Sequence, residues 1–401
     1  MNKEKIIETD QTFMAPLFWK RPIAIERGQG AYLYDTEDNI YLDFTSNYGV
    51  AITGHSHPRV VQAITDQAEK LISCHGSFYN QQRSLFIEKL SEMTPKNLSR
   101  YYFSNSGTES VECALKFARK ATGKKGFVAM MNCFHGKTMG SLSLTWNKKY
   151  REPFMPLLQD VRHVPFGKTD RLLDVITEDT AAVILEPIQG ESGINIPPEG
   201  YLKEVRDICS DKDVLLILDE IQTGTGRTGR FLAAEHSDVQ PDIVCLSKAL
   251  ASGFPLGATL CTEEVASTLK VGDHSSTFGG NPLACAAGKA TLEVIQDEKL
   301  LNRATTMGNY LLTELQCLLD YSCVREVRGK GLMLAIEMKF DALTVIMSCI
   351  EKRMLVLEAG RNVVRLLPPL VLTMKDADTA VQILREVIGE EDSARKSGSP
   401  T

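Results

Sequence analysis

The sequence lacks any apolar run that approaches the ~20 residues of a membrane-spanning helix. Its first residues, MNKEKIIETDQTF, lack the apolar core of a signal peptide, so we expect none. It also lacks an excess of basic residues, since its formal net charge is −6, whereas a nucleic-acid-binding protein needs a clustered basic face. These absences argue against a membrane or a nucleic acid as a partner.

Disulfide and metal signals are equally scarce. None of the 10 cysteines forms a C-x-x-C pair, and Cys245, Cys261 and Cys285 lie in apolar or small-residue stretches, as buried free thiols do. The histidines are scattered, and the GHSHP segment with His55 and His57 has no further ligand cluster beside it. We therefore expect a cytoplasmic protein without disulfides and without a metal site.

The order of apolar patterns predicts an α/β fold with two domains. AYLYDTEDNIYLDF predicts a β-hairpin, and RVVQAITDQAEKLI predicts an amphipathic helix. From about residue 100, short apolar strands alternate with helical segments, which indicates a mostly parallel sheet covered by helices. After about residue 291, helices dominate and strands are few. We predict a segment, 1–54, that joins the small domain, a large domain, 55–290, a smaller α+β domain, 291–390, and a disordered tail, 391–401.

Ligands of open α/β sheets bind beyond the carboxyl ends of the strands, so the loops after the strands are candidate sites. Ser106, Gly107 and Thr108 follow the apolar YYF and open a helix, an arrangement that can bind a phosphate through backbone N–H groups. Plain capping of that helix is the alternative. Phe134 and His135 follow another strand, where an aromatic ring can stack on a flat cofactor or simply pack in the core.

Two charged residues stand in apolar surroundings. Asp219 ends the apolar VLLIL, where burying a carboxylate costs free energy unless a partner compensates its charge. The partner can be a protonated pyridine nitrogen or an arginine, or the carboxylate can cap a helix. Lys248 is the only charged residue of CLSKALASGFPLGATL, and a lysine amine can form a Schiff base with a carbonyl cofactor. A phosphate loop, an aromatic, a strand-end aspartate and an isolated lysine, in that order, predict pyridoxal 5'-phosphate (PLP) as the cofactor.

Seven segments extend this pattern over nearly the whole chain. They are SNSGTES, CFHGKT, EPIQGESG, LDEIQTGTGRTG, DIVCLSKAL, STFGGNPLA and VRGKGLMLAIE. Together they resemble the class III, or omega, aminotransferases of PLP fold type I. The resemblance implies a large domain with a mostly parallel sheet and a smaller α+β domain.

The resemblance also implies roles for the residues around the cofactor ring. Lys248 is similar to the lysine that binds PLP covalently and moves the proton, and Asp219 to the partner of the pyridinium nitrogen. Gln222 matches the residue that hydrogen-bonds the ring hydroxyl, and Phe134 matches the residue stacked on the ring, with His135 beside it.

The phosphate of the cofactor is assigned in the same way. Ser106, Gly107 and Thr108 match the phosphate cradle of the family. Thr277, in STFGGNP, matches a residue that reaches the phosphate bound to the neighbouring subunit. The resemblance therefore implies a homodimer with shared active sites.

Four residues are implied to contact substrate. Arg365 resembles the arginine that binds the α-carboxylate of glutamate, and Glu191 resembles the glutamate that pairs with this arginine when the other substrate is bound. An arginine is suited to this role because its guanidinium binds a carboxylate in a bidentate manner. Lys137 and Tyr48 complete the implied substrate pocket.

The subfamily is indicated by GKTMGSLSLTWNKKYREPF, GDHSSTFGGNPLA and VREVRGKGLMLAIEMK. They resemble the acetylornithine and acetyl-lysine type of arginine and lysine biosynthesis, including versions in which a carrier protein presents the donor. The expected reaction moves the terminal amino group of an acylated ornithine or lysine to 2-oxoglutarate, giving a semialdehyde and glutamate.

One departure leaves alternatives open. FHGK stands where the subfamily commonly has FHGR, so that Lys137 replaces an arginine, as in putrescine-type enzymes. A diamine or ornithine δ-aminotransferase is therefore the first alternative. A PLP-dependent aminomutase or racemase is a further one, although such an isomerase needs no second substrate for Arg365 and Glu191 to bind.

Overall fold

The first part of the chain forms a hairpin and several helices. The computed structural model describes residues 1–398. The elements before residue 95 are α1 (Lys3–Phe13), β1 (Ile25–Gln29), β2 (Tyr32–Asp35), β3 (Ile40–Asp43), α2 (Ser46–Gly49), α3 (Pro58–Ala68) and α4 (Gln81–Met93). Strands β2 and β3 pair antiparallel, which confirms the predicted hairpin, and the predicted amphipathic helix is α3.

A seven-stranded sheet forms the centre of the molecule. Its strands are β4 (Arg100–Ser104), β5 (Gly126–Met130), β6 (Val161–Val164), β7 (Thr180–Leu185), β8 (Leu215–Asp219), β9 (Ile243–Leu246) and β10 (Gly257–Cys261), in the spatial order β4-β10-β9-β8-β7-β5-β6. Only β10 runs against its neighbours, so the predicted mostly parallel sheet is confirmed. Every residue of β7, β9 and β10 is buried, which explains their continuous apolar sequences.

Helices cover this sheet. They are α5 (Gly107–Thr122), α6 (Met139–Leu144), α7 (Lys148–Arg151), α8 (Asp170–Val175), α9 (Tyr201–Asp211), α10 (Glu263–Ser267) and α11 (Pro282–Asp297). Helix α5 begins after the cap residue Ser106, ends at Gly123 with φ 70°, and buries Val111 and Leu115 in the core beneath it. The connection from β4 thus brings the N-terminus of α5 to the edge of the sheet where the parallel strands end.

The C-terminal part adds two smaller sheets. Its elements are α12 (Leu300–Leu315), β11 (Val324–Lys330), β12 (Met333–Met338), α13 (Leu343–Glu351), β13 (Met354–Leu355), β14 (Leu357–Ala359), β15 (Val363–Leu366) and α14 (Met374–Lys396). One sheet has the order β11-β12-β15-β14 and the other β1-β2-β3-β13. Because β3 pairs with β13, the N-terminal hairpin shares a sheet with the C-terminal part. Short 3₁₀ turns at Glu152–Phe154, Ala233–Ser237, Lys248–Ala251 and Gln316–Asp320 complete the described elements.

The predicted disordered tail requires a correction. Residues 391–396 continue helix α14, and Asp392 is only 3% exposed. Its carboxylate accepts hydrogen bonds from Ser322 Oγ at 2.6 Å and from the backbone N–H of Cys323 at 2.9 Å, and pairs with Lys396 at 2.6 Å. The polar side chain of Asp392, part of the composition that predicted disorder, is therefore held by tertiary hydrogen bonds. Residues 399–401 of the predicted tail lie outside the described residues.

Candidate active site

A pocket of about 300 Å³ lies at the carboxyl ends of the central strands. The residues that line it come from the loops after β4, β5, β7, β8 and β9, as expected for an open α/β sheet. They are Gly107, Thr108, Phe134, His135, Gly136, Lys137, Glu186, Glu191, Asp219, Ile221, Gln222 and Lys248. Most of the residues singled out in the sequence therefore converge on this single pocket.

Asp219 is held at the end of β8 by two hydrogen bonds. Its Oδ2 lies 2.7 Å from His135 Nδ1, and its Oδ1 accepts the backbone N–H of Ile221 at 3.1 Å. Burial opposes protonation of His135, but Cys133 and the Asp219 carboxylate together raise the pKa of the imidazole well above its usual value. The hydrogen bond to His135 Nδ1 is one reason that a buried Asp219 is tolerable. Through this contact His135 positions the carboxylate of Asp219.

Glu186 is a pocket residue that the sequence analysis missed. It follows β7 directly, and its carboxylate accepts the backbone N–H groups of Phe134 at 3.0 Å and Gly190 at 2.9 Å. Burial is the main reason that the pKa of Glu186 rises to about 7. Its position at a strand end is the same signal that identified Asp219. Ile221 and Gly136 are further lining residues that were not predicted.

Lys248 lies two residues beyond β9, where a 3₁₀ turn begins. Its φ is 36°, in the left-handed region that costs a non-glycine residue about 1–2 kcal/mol. Ser247 stabilises this turn because its Oγ donates to the carbonyl of Leu256 at 2.8 Å. Burial, and next the charge of Arg365, lower the pKa of the Lys248 amine. The turn thus directs an amine that loses its proton more easily than usual into the pocket.

The N-terminus of α5 forms one wall of the pocket. A Cβ at Gly107 would lie 2.8 Å from Ile221 Cδ1, and a Cβ at Gly136 would lie 2.3 Å from Thr108 Oγ1. Only glycine at positions 107 and 136 lets the backbone approach these side chains so closely. The hydroxyl of Ser106 instead accepts the N–H of Glu109, so for this side chain the capping alternative holds. Ser106 itself does not line the pocket.

Arg365 is fully buried on β15 and contacts two residues that line the pocket. Its Nη1 pairs with Glu191 Oε2 at 3.2 Å and lies 3.5 Å from Gln222 Oε1. Within residues 1–398, neither Nε nor Nη2 of Arg365 has a hydrogen-bond partner. A buried guanidinium with unused donors has the capacity to bind a carboxylate. The predicted pairing of Arg365 with Glu191 is present as a contact.

Aromatic residues lie beside the charged residues of the pocket. The Cζ of Arg365 lies 5.5 Å from the ring centroid of Tyr48, which is in the left-handed region with φ 61°. Lys137 is exposed, and its Nζ lies 4.3 Å from the ring centroid of Tyr150. Tyr150, also missed in the sequence, meets Phe134 edge-on with 6.3 Å between ring centroids. Lys137 is therefore tethered by a cation–π contact at the mouth of the pocket.

Thr277 is a predicted site residue that stands apart from this arrangement. It is exposed, and it does not line the pocket of its own chain. Its neighbour Phe278 is 60% exposed. The monomer therefore provides Thr277 on a surface with an uncovered aromatic ring.

Metal ligands and membrane spans were also sought in the described chain. Between residues 1 and 398, no group of three or more His, Cys, Asp or Glu side chains is placed to hold a metal ion. In the same range, no helix combines the length and apolar character needed to cross a membrane.

Known proteins resemble this chain over nearly its whole length. The class-III aminotransferase family model matches residues 17–388. The acetylornithine aminotransferase of Methanothermobacter thermautotrophicus is 44% identical over 391 residues, which cover 97% of this chain and 100% of that protein. The LysW-aminoadipate semialdehyde/glutamate semialdehyde transaminase of Sulfurisphaera tokodaii is 40% identical, with 94% and 98% coverage. A structure of Toxoplasma gondii ornithine aminotransferase, described with partial PLP occupancy at its active site, superposes with a TM-score of 0.95 at 34% identity, covering 98% of this chain and 96% of that one.

Proposed function

Because the chain belongs to the class III aminotransferase family and is a PLP-dependent transaminase, we propose that it uses an acylated ornithine or lysine as amino donor. The terminal amino group of the donor is transferred to 2-oxoglutarate, and the products are a semialdehyde and glutamate. Relatives named for acetylornithine and for LysW-linked substrates support this donor class. The second name also supports a donor presented by a carrier protein as a form of the same reaction.

The ring of PLP would be held by four residues of the pocket. Lys248 would bind its carbonyl carbon, Asp219 would face its ring nitrogen, Gln222 would hydrogen-bond its hydroxyl and Phe134 would stack on its face. The fit is supported by the convergence of an amine, a carboxylate, an amide and an aromatic ring on one pocket of about 300 Å³. When bound, PLP supplies an electron-withdrawing ring that stabilises negative charge on the substrate carbon.

The proton is moved by the Nζ atom of Lys248 in this proposal. The lowered pKa of its amine, caused first by burial, leaves more of it neutral and able to accept a proton from the substrate carbon. Asp219, held by His135 at 2.7 Å, would keep a positive charge on the ring nitrogen. His135 thus acts as a positioning residue.

The phosphate would be bound at the N-terminus of α5. Gly107 and Thr108 line the pocket there, and the backbone N–H groups of a helix N-terminus favour an anion. Ser106 would contribute through its backbone, because its hydroxyl already caps the helix. The partner subunit's Thr277 would complete the cradle, which requires a homodimer with shared active sites.

Exposed apolar residues support the dimer. Phe78 is 67% exposed, and Tyr79 and Val271 are fully exposed. Val271 lies in the same connection as Thr277 and Phe278, between α10 and α11, whereas Phe78 and Tyr79 lie just before α4. Residues 75–77, which directly precede Phe78, line one groove together with Val271 and Ser276, so these apolar residues belong to one surface. Large exposed apolar surfaces of this kind usually bind another protein. A second copy would cover them and present Thr277 to the neighbouring pocket.

The cysteines support a cytoplasmic location. All ten are free thiols, and eight of them are buried. Free buried thiols persist in a reducing compartment, whereas exported proteins commonly use cysteine in disulfides.

The charge at the mouth of the pocket, around Lys137, is the observation on which the proposed donor rests. Two carboxylates line this region, and each has an arginine partner: Glu191 with Arg365 and Glu358 with Arg21. Lys137 has no carboxylate partner within the described residues. The mouth therefore has an unpaired positive charge. Acylation removes the α-ammonium charge of ornithine or lysine, so the far end of an acylated donor is anionic and suits this mouth.

A donor panel tests the proposal. N-Acetylornithine, N-acetyllysine, ornithine and putrescine are each supplied with 2-oxoglutarate, and glutamate formation is measured as kcat/KM for the donor. We expect the acetylated donors to be the best. Ornithine or a diamine is the second candidate, favoured by lysine rather than arginine at position 137. Absence of glutamate with every donor, or a purified protein without PLP absorbance, would contradict the proposal.

A further inference from the structure

A groove of about 560 Å³ adjoins the pocket and shares part of its lining. Glu358, from β14, lines this groove together with Tyr150 and Glu191. The Oε2 of Glu358 lies 3.6 Å from Nη2 of Arg21, and the two side chains are 46% and 21% exposed. Arg21 is anchored because the same Nη2 donates to the carbonyl of Val356 at 3.0 Å. An arginine from the N-terminal segment thus neutralises a carboxylate beside the substrate pocket.

This ion pair is linked to the inner pair by the backbone. In the pairing of β14 with β15, Leu357 lies opposite Arg365 and Glu358 opposite Val364. The N–H of Gly360 also donates to the carbonyl of Glu191 at 2.9 Å. The two arginine–glutamate pairs are therefore neighbours beside the site: Arg365 is fully buried in the inner pair, and Glu358 is 46% exposed in the outer pair.

The hydroxyl of Tyr48 is influenced by all four charges. Burial is the main cause of the raised pKa of its hydroxyl, followed by Glu358, then by Arg21 and Arg365 in the opposite direction, and by Glu191. Glu358 thus influences a ring that itself contacts Arg365. Because Glu358 lines a groove that shares Phe134 and Glu191 with the pocket, its charge lies close to the site of a bound donor.

We propose that the Arg21–Glu358 pair sets the charge preference of the enzyme for the far end of its amino donor. With Arg21 in place, Glu358 is compensated and an anionic far end meets the unpaired Lys137. Without Arg21, Glu358 would be an uncompensated carboxylate in the groove, where it repels anionic donors and attracts cationic ones. Without Glu358, Arg21 would add a further unpaired positive charge to a groove that Lys148 and Lys149 also line. The inference rests on the proposed aminotransferase function.

The test compares an anionic and a cationic donor in matched variants. The variants are Arg21→Gln, Glu358→Gln and the double variant, and kcat/KM is measured for N-acetylornithine and for putrescine with saturating 2-oxoglutarate. We expect Arg21→Gln to lower the ratio of acetylornithine to putrescine by roughly 3- to 10-fold, as for a charge several ångströms away in a partly solvated groove. Glu358→Gln should raise the ratio by a similar factor, and the double variant should return it towards wild type. Both shifts should shrink at high ionic strength.

Two features keep the test decisive. Glu358→Gln preserves side-chain shape and leaves Arg21 bound to Val356, so it remains informative if Arg21→Gln folds poorly. Arg325→Gln is the matched control, because Arg325 forms an ion pair with Glu337 at 2.7 Å and lines neither the groove nor the pocket. Its ratio should equal that of wild type.

The outcomes separate this inference from the proposed function. If wild type forms glutamate but neither variant changes the ratio, or both change it in the same direction, the inference is overturned and the aminotransferase assignment stands. If wild type forms glutamate from neither donor, the proposed function itself fails.

Discussion

Replacing Lys137 with alanine tests the choice of substrate most directly. We expect Lys137→Ala to lower kcat/KM for acetylornithine-like donors, because Lys137 is a lining residue of the pocket whose positive charge has no carboxylate partner among residues 1–398. In the unliganded protein its Nζ lies 4.3 Å from the ring centroid of Tyr150. A substrate carboxylate would therefore replace a cation–π contact, and only the difference between the two interactions contributes to binding.

The size of the effect follows from that difference. A hydrogen bond to a charged group contributes about 1.5–3 kcal/mol, and a cation–π contact at an exposed site about 0.5–1 kcal/mol. The net loss is then about 1–2 kcal/mol, or roughly 5- to 30-fold in kcat/KM, since 1.4 kcal/mol is tenfold. The KM for 2-oxoglutarate should rise as well, because this acceptor also has a distal carboxylate.

The assay measures glutamate formation with N-acetylornithine and putrescine for wild type and for two variants. Lys137→Arg should preserve or improve the rate with N-acetylornithine, since a planar guanidinium binds a carboxylate in a bidentate manner. The rate with putrescine should not fall in Lys137→Ala, because this donor has no carboxylate. Equal activity of wild type and Lys137→Ala on N-acetylornithine, with putrescine the better donor for both, would refute the acylated-donor proposal and leave the aminotransferase assignment intact.

Four further predictions follow from the same site. Lys248→Ala should abolish turnover, and borohydride reduction of the cofactor-loaded wild type followed by peptide mapping should label Lys248; a label on another lysine would overturn the assignment. Asp219→Asn should lower kcat by at least ~10²-fold, the lower end for loss of a group that supports proton transfer, and near-normal activity would mean that another residue faces the ring nitrogen. Thr277→Ala should weaken PLP retention, measured by dialysis and absorbance, and sedimentation that finds a fully active monomer would contradict the shared site. Burial raises the pKa of Glu186 from 4.5 to about 7, so between these values the folded state retains a proton that the unfolded chain loses. The contribution of Glu186 to stability therefore falls as pH rises, and Glu186→Gln should lose less Tm than wild type between pH 5 and 8. Equal slopes of Tm against pH for the two proteins would refute this.

Part of the site could be predicted because its signals are local. Asp219 and Lys248 are each charged residues at the end of an apolar strand, and parallel strands end at one edge of the sheet. The predicted hairpin and the mostly parallel sheet follow in the same way from the alternation of apolar residues. Neither inference required knowledge of which strands are neighbours.

Tertiary structure decided the contacts between residues that are distant in the chain. Only the folded chain places His135 against Asp219 and brings Arg21 from the N-terminal segment to Glu358 on β14. The physical reason is that a local pattern reports which face of an element is buried, whereas an ion pair depends on the packing of separate elements. The same limit applies to the end of α14, where Asp392 is polar in sequence yet buried, because its hydrogen-bond partners lie on a different part of the chain.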